Sequence, residues 1–235
     1  MNVTVQRNGP VTGQVPKPNL EGYSLEACCL KLRDLAPDAY TVWKDLLDVN
    51  SWAYEGFPTD SCSVQGHPMA EEFKAFLGSY LHGTVLDIGC GPQPMPVYLG
   101  GYPPELLAGL DPLWPKQEHP FQFVQGVAEF LPWPDRSFDI VIAATSMDHV
   151  LLLDPALAEV RRVLKKTGHF IVWVSFIPGA VKYNPYRKDI KALDKYHLFH
   201  FDKPWFDQLM DKYFICRQSI RMDAESAFYS YVARL

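Results

Sequence analysis

No apolar run in the sequence approaches the length of a membrane span. The opening residues lack the charged-then-apolar layout of a secretory signal. There is no basic stripe, and the formal net charge is −5, which weighs against a nucleic-acid partner, whose binding is driven by phosphate neutralisation. The five cysteines, Cys28, Cys29, Cys62, Cys90 and Cys216, have no metal-ligand spacing, so buried, reduced thiols are expected. Internal repeats and low-complexity segments are also missing. These absences leave a soluble, cytoplasmic protein with no nucleic-acid and no membrane partner as the expectation. Nothing among them speaks to the oligomeric state.

What is present centres on Thr84-Val85-Leu86-Asp87-Ile88-Gly89-Cys90-Gly91-Pro92, a short apolar strand running into a glycine turn. Gly89 and Gly91 permit backbone angles and close approach that a side chain would block. A lone Gly-x-Gly is a weak signal, and the third glycine of the dinucleotide fingerprint is missing. Pro92, Pro94 and Pro96 lack the amide hydrogens that a pyrophosphate needs at a helix start. Asp87 would repel a phosphate and suits an ammonium group. The turn therefore favours a cationic or zwitterionic ligand. About 20 residues on, Asp111 ends Leu106-Leu107-Ala108-Gly109-Leu110, where nucleoside-binding α/β folds place a carboxylate on the ribose hydroxyls.

With these pieces the chain resembles the class I S-adenosylmethionine-dependent methyltransferases, in particular the methyltransferase type 11 group. Two further stretches carry the resemblance. One runs from Gly126-Val127-Ala128-Glu129-Phe130-Leu131-Pro132-Trp133 to Asp139. The other runs from Glu159-Val160-Arg161-Arg162 to Gly168. Together the four motifs cover roughly residues 80–175. The resemblance implies S-adenosyl-L-methionine as cofactor. Asp87 would hold its ammonium directly or through water, with Gly89, Cys90 and Gly91 forming the turn beside it. Asp111 would take the ribose hydroxyls, and Pro112 and Thr145 would also contact the cofactor. In the family an acid in the 126–129 segment takes the adenine amino group. Here Val127 stands in that acid's place. Either Glu129 substitutes, or Ala128 offers backbone contacts with the base gripped by apolar side chains such as Leu113 or Phe130. Cys90 reads as a buried filler rather than a nucleophile.

The pattern elsewhere predicts a Rossmann-like α/β fold with strands near 84–88, 106–110, 121–125, 138–144 and 169–175. The resemblance adds a seven-stranded, mostly parallel sheet with a C-terminal antiparallel hairpin. Residues 1–20 read as a mobile arm, 21–82 as a helical cap or lid, and 83–235 as the cofactor-binding domain, with a lid insertion at about 176–204. Helices are expected from Ser24, from Pro37 to about Val49, from Pro68 to about Leu81, from Ala156 to Lys166 with Gly168 as C-cap, and from Lys203 to Tyr213. Trp52 to Pro58 reads as an aromatic loop.

Acceptor-side candidates are His149, a proton acceptor near neutral pH, with Asp148 to orient it, and His197 and His200 in a polar–apolar alternation. Each of these has a plain alternative as a packing or solvent-side residue. Their spacing demands no metal, and none is assigned. The expected activity is methyl transfer to a small molecule, by preference to a sugar or natural-product hydroxyl. The competing expectations are a non-enzymatic cofactor-binding module and a nucleotide-dependent oxidoreductase.

Overall fold

The computed structural model describes residues 13–56, 67–115, 117–223 and 225–234. Seven strands form one sheet: β1 (Val85–Ile88), β2 (Leu107–Asp111), β3 (Gln122–Gln125), β4 (Phe138–Ala144), β5 (Leu164–Ser175), β6 (Phe214–Arg221) and β7 (Ser226–Ala233). Their order is β3-β2-β1-β4-β5-β7-β6. The first five are parallel, and β7 pairs antiparallel with both β5 and β6. After β3 the chain crosses back to lay β4 beside β1, so the winding direction reverses between those two strands. In open α/β sheets a crevice opens at that point, outside the carboxyl ends of the strands.

Both faces of the sheet are covered, which is why β1 and β4 read as near-continuous apolar runs. Leu86, Val141 and Ala143 face one core, together with Cys28 and Leu32 of α1 (Leu25–Leu35) and residues of α2 (Pro37–Gly56), α4 (Leu153–Val163) and α5 (Lys203–Met210). Val85, Ile140 and Ile142 face the other, with Phe73 and Leu77 of α3 (Pro68–Leu77). Ser24 caps α1 by accepting from the Ala27 amide at 3.1 Å. Pro37 opens α2 at a position where its missing amide costs nothing.

Several expected boundaries are corrected. The helix expected over 156–166 is α4, Leu153–Val163, and the chain turns straight into β5 at Leu164. Gly168 is therefore not a C-cap but a strand residue. A Cβ there would sit 2.7 Å from the Asp139 carbonyl oxygen, so the close approach of β5 to β4 requires glycine. Trp52 and Tyr54 belong to α2, not to a loop, and the rest of that stretch from residue 57 lies outside the described residues. α3 and α5 each stop a few residues short of expectation, at Leu77 and Met210, with Gly78 following the former. Of the expected arm, residues 1–12 lie outside the described residues. Residues 13–20 run against the body, with Val15 buried and the Asn19 amide donating to Pro132 O at 2.7 Å. Among the described cysteines Cys28 and Cys90 are buried, Cys29 is half-buried and Cys216 is exposed. Cys216 escapes the expected burial because β6 is an edge strand whose residues after Phe214 face solvent. Cys62 lies outside the described residues.

The motif around Glu159 and Arg162 is structural. The Arg162 guanidinium donates to both Glu159 oxygens at 2.7 Å, to Asp135 Oδ1 at 2.9 Å, and to the carbonyls of Trp133 and Leu131 at 2.8 and 2.9 Å. This ties α4 to the 131–135 loop. Lysine cannot reproduce the planar fork. Arg162→Lys should therefore destabilise the fold by about 2–3 kcal/mol in urea denaturation and leave ligand affinity unchanged.

Candidate active site

At the switch point β1 ends in Ile88, and Gly89 and Gly91 follow with φ of 73° and 72°, values that glycine adopts without strain. The approach of the β4 loop makes Gly89 doubly necessary. A Cβ there would lie 2.3 Å from Ser146 Cβ, and Ser146 Oγ donates to Ile88 O at 2.6 Å. Asp111 ends β2. Its Oδ2 accepts from the Gly91 amide at 2.9 Å and its Oδ1 from the Leu113 amide at 2.8 Å. One carboxylate thus fixes both the turn and the loop beside it. Burial pushes its pKa up to about 6, against the pull of the Leu113 and Gly91 amides.

These elements line a cleft enclosing about 970 Å³, open mouth included. Of the residues that the sequence singled out, Gly89, Cys90, Gly91, Asp111, Pro112, Ala128, Glu129, Thr145 and His149 border it. Leu113 and Val127 border it too, whereas Phe130 packs beside the α1–α2 core instead. Cys90 is fully buried, and burial pushes its thiol well up, consistent with a filler. Thr145 has φ 52°, an uncommon conformation for a β-branched residue of the kind found at functional sites.

Asp87 is set behind the wall rather than on it. It is 1% exposed, its Oδ2 accepts from Tyr98 Oη at 2.9 Å, and its Oδ1 has no hydrogen-bond partner among the described residues. Burial pushes its pKa up to about 7, with the Tyr98 hydroxyl pulling down and Asp111 pushing further up. Tyr98 itself borders the cleft. An orphaned carboxylate oxygen one hydrogen bond from the wall fits a ligand that brings an ammonium group. Glu129, a third buried acid, accepts from the Leu152 amide at 2.8 Å at the start of α4, and burial pushes it up to about 7.

An acidic, imidazole-rich cluster adjoins the cleft at His149, which borders it and whose carbonyl accepts from Trp43 Nε1 at 2.9 Å. Asp148, His197 and His200 stand behind. His149 Nε2, His197 Nε2 and His200 Nδ1 face the Asp148 carboxylate at 3.9, 4.0 and 3.9 Å. The structure thus brings the four acceptor-side candidates together from two loops far apart in sequence. Burial lowers the His149 pKa, with Asp148 raising it and His197 lowering it further, so the ring is neutral at pH 7. Asp148 is held below the usual carboxylate range by His200, His149 and His197, against its burial. His200 is raised by the same carboxylate.

The sequence reading missed Tyr98, Asn50, Tyr54 and Asp194. Trp43, Leu46, Leu47, Asn50 and Tyr54 border the cleft at helical spacing, and a helix continued past Val49 would have put them on one stripe. Asn50 Nδ2 donates to Tyr196 O at 3.0 Å, joining α2 to the 194–201 segment as a roof. No sequence signal marked Asp194. It accepts from the amides of Tyr196 and His197 and faces both His197 and His200.

Comparison with known proteins agrees with the geometry. Residues 86–172 match the family model described as "Methyltransferase domain". The uncharacterized protein YafE of Escherichia coli (strain K12) is 34% identical over 113 residues, 47% of this chain and 55% of YafE. The ubiquinone/menaquinone biosynthesis C-methyltransferase UbiE of Hahella chejuensis is 47% identical over 51 residues, 22% of this chain and 20% of UbiE. The chain thus spans about half, or less, of the length of these relatives. Among solved structures, the 1,6-didemethyltoxoflavin-N1-methyltransferase of Burkholderia thailandensis superposes with a TM-score of 0.58. It is 16% identical and covers 80% of this chain and 88% of that one. At that identity the likeness speaks for the fold.

Proposed function

We propose that the chain is a class I S-adenosylmethionine-dependent methyltransferase, a reading supported by the match of residues 86–172 to the methyltransferase domain, and that it methylates a hydroxyl of a small molecule. S-adenosyl-L-methionine, the cofactor of this family, supplies an electrophilic methyl on a sulfonium that departs as a neutral thioether. The observation that carries the proposal is that one cleft is bordered both by the glycine turn with its buried carboxylates and by the imidazole of His149, which Asp148 backs.

The residues present fit the cofactor. The Gly89–Gly91 turn gives it backbone to lie against. Asp111 has lone pairs left on both oxygens for ribose hydroxyls beside the two amides it already holds. Leu113, Val127 and Val150 offer an apolar seat for the base, with Glu129 at its edge. The roof of α2 and the 194–201 segment excludes water and aligns the acceptor, which is most of what transfer from a sulfonium requires. A hydroxyl must also lose its proton. His149 is the group bordering the cleft that can take it. UbiE is a C-methyltransferase and the Burkholderia thailandensis protein an N1-methyltransferase, so the methylated atom is the discriminating readout. Turnover with radiolabelled cofactor against a panel of hydroxylated acceptors, followed by NMR of the product, should give a methyl ether. A methyl on carbon or nitrogen would move the acceptor chemistry elsewhere, and no turnover with any acceptor would favour a binding module.

Asp87 gives a pH prediction. Below about 7 it is protonated and offers no charge to an ammonium, and above that it is ionised. Asp111, raised to about 6, titrates in the same direction. Cofactor affinity should therefore strengthen as pH rises from about 6 to about 8, by up to roughly tenfold per pH unit below the Asp87 pKa. Calorimetry across that range is the check, and Asp87→Asn should flatten the dependence. A wild-type affinity that falls over the same range would place the ammonium away from Asp87.

A further inference from the structure

Three imidazole nitrogens converge on the Asp148 carboxylate at 3.9–4.0 Å. That is too long for a hydrogen bond and leaves room between the groups for a bridging species. His197 Nδ1 lies 3.0 Å from Asp194 Oδ1, and His200 Nε2 lies 2.9 Å from Asp194 Oδ2. Asp194 thus holds each ring by one nitrogen and turns the other, His197 Nε2 and His200 Nδ1, toward Asp148. The rings are packed together, with His149–His197 and His197–His200 centroids 4.8 and 4.6 Å apart.

We infer that Asp148, His149 and His197 bind a divalent transition-metal ion. Their ligand atoms all lie within 4.8 Å of one another. Tetrahedral coordination at about 2.0–2.1 Å sets ligand atoms about 3.3–3.4 Å apart, so the two Asp148 pairs, at 3.9 and 4.0 Å, close by roughly half an ångström and the His149–His197 pair by up to about 1.5 Å. Two imidazoles and one carboxylate suit zinc, manganese, iron or cobalt, whereas magnesium and calcium prefer oxygen alone. Asp194 supplies the supporting carboxylate that a ligating histidine commonly carries on its other nitrogen. His200, facing the same Asp148 oxygen as His197, stands by as a further donor. Three protein ligands leave coordination positions open. Because His149 also borders the cleft, the ion would lie against the acceptor space. Its role there rests on the methyl-transfer reading: with an ion bound, His149 serves as a ligand, and the ion makes the acceptor hydroxyl more acidic. The binding itself does not rest on that reading.

The test is metal uptake by the full chain, stripped with chelator and studied without cofactor or acceptor. Cys216→Ser is used as background, because an exposed thiol captures zinc unspecifically. Calorimetry with zinc chloride and visible absorption with cobalt(II) should both give one saturable ion per chain, and magnesium should give none. His197→Ala and Asp148→Asn should each weaken uptake at least about a hundredfold. Asp194→Asn, which changes no ligand and nearly keeps the volume, should weaken it about ten- to hundredfold. Circular dichroism verifies that the variants are folded. No saturable uptake in the background protein, or uptake indifferent to Asp194→Asn and to the ligand variants, overturns the inference, whether or not the protein turns out to methylate anything.

Discussion

His149→Ala should lower turnover roughly 10²–10⁴-fold, the range for loss of a positioned acid–base group, while the cofactor dissociation constant barely moves. His149 borders the cleft and takes no part in holding Asp111, which accepts from Gly91 and Leu113, so truncation is expected to leave the cofactor side in place. Its tie to α2 runs through its backbone carbonyl, which accepts from Trp43 Nε1, and alanine keeps that bond. Single-turnover measurement with the true acceptor, beside calorimetry with the cofactor, separates the two quantities. His197→Ala and His200→Ala belong in the same series. Their rings reach the cleft only through the Asp148–His149 cluster, so their losses should be smaller if a proton alone is handled there. Losses comparable to that of His149→Ala are expected if His197 holds an ion. Equal losses of cofactor affinity and of stability in His149→Ala would make the ring a packing element.

The second large effect is at Asp111. Loss of a carboxylate that accepts two ribose hydroxyls should cost about 1.5–3 kcal/mol, or about ten- to a hundredfold in cofactor affinity. Asp111→Ala also abandons the Gly91 and Leu113 amides, so its melting temperature should fall. Asp111→Asn is the cleaner variant. It keeps the volume and one acceptor oxygen, and should lose affinity with a smaller loss of stability. Removing the buried acid also removes its contribution to the pH dependence of the apo protein. Asp87, Asp111 and Glu129 all have pKa values raised by burial, to about 7, 6 and 7. For such acids stability is greatest when they are protonated and declines as pH rises through those values. An unchanged dissociation constant in a folded Asp111→Asn protein would move the ribose contact elsewhere.

The sheet was legible because each of its parallel strands is a short apolar run closed by turn residues, and because burial on both faces leaves no other reading for Val85–Ile88 or Phe138–Ala144. The cofactor side was legible for a related reason: glycines with positive φ and strand-ending acids are local features, written in consecutive residues. Boundaries governed by contacts between distant segments were not. Gly168 looks like a helix cap until the Asp139 carbonyl is found against it. Tyr54 looks like loop until its place on the cleft-facing side of α2 is seen. The acceptor side was legible only as a set of residues. Asp148 and His149 follow β4, while Asp194, His197 and His200 come from an irregular segment beyond β5, and only the fold brings their rings within 5 Å of each other. Asp194 in particular is one acid among many in a charged stretch, and its meaning lies in the two histidines it faces.

The central claim is that the glycine turn and Asp111 make a seat for a sulfonium nucleoside and not for a dinucleotide. Titration calorimetry of the wild-type chain at about pH 8 with S-adenosylmethionine, S-adenosylhomocysteine and an oxidised nicotinamide dinucleotide tests it directly. One-site binding of both sulfur compounds, with no heat from the dinucleotide, is the result the account predicts. Saturable binding of the dinucleotide, with none of either sulfur compound, would contradict it.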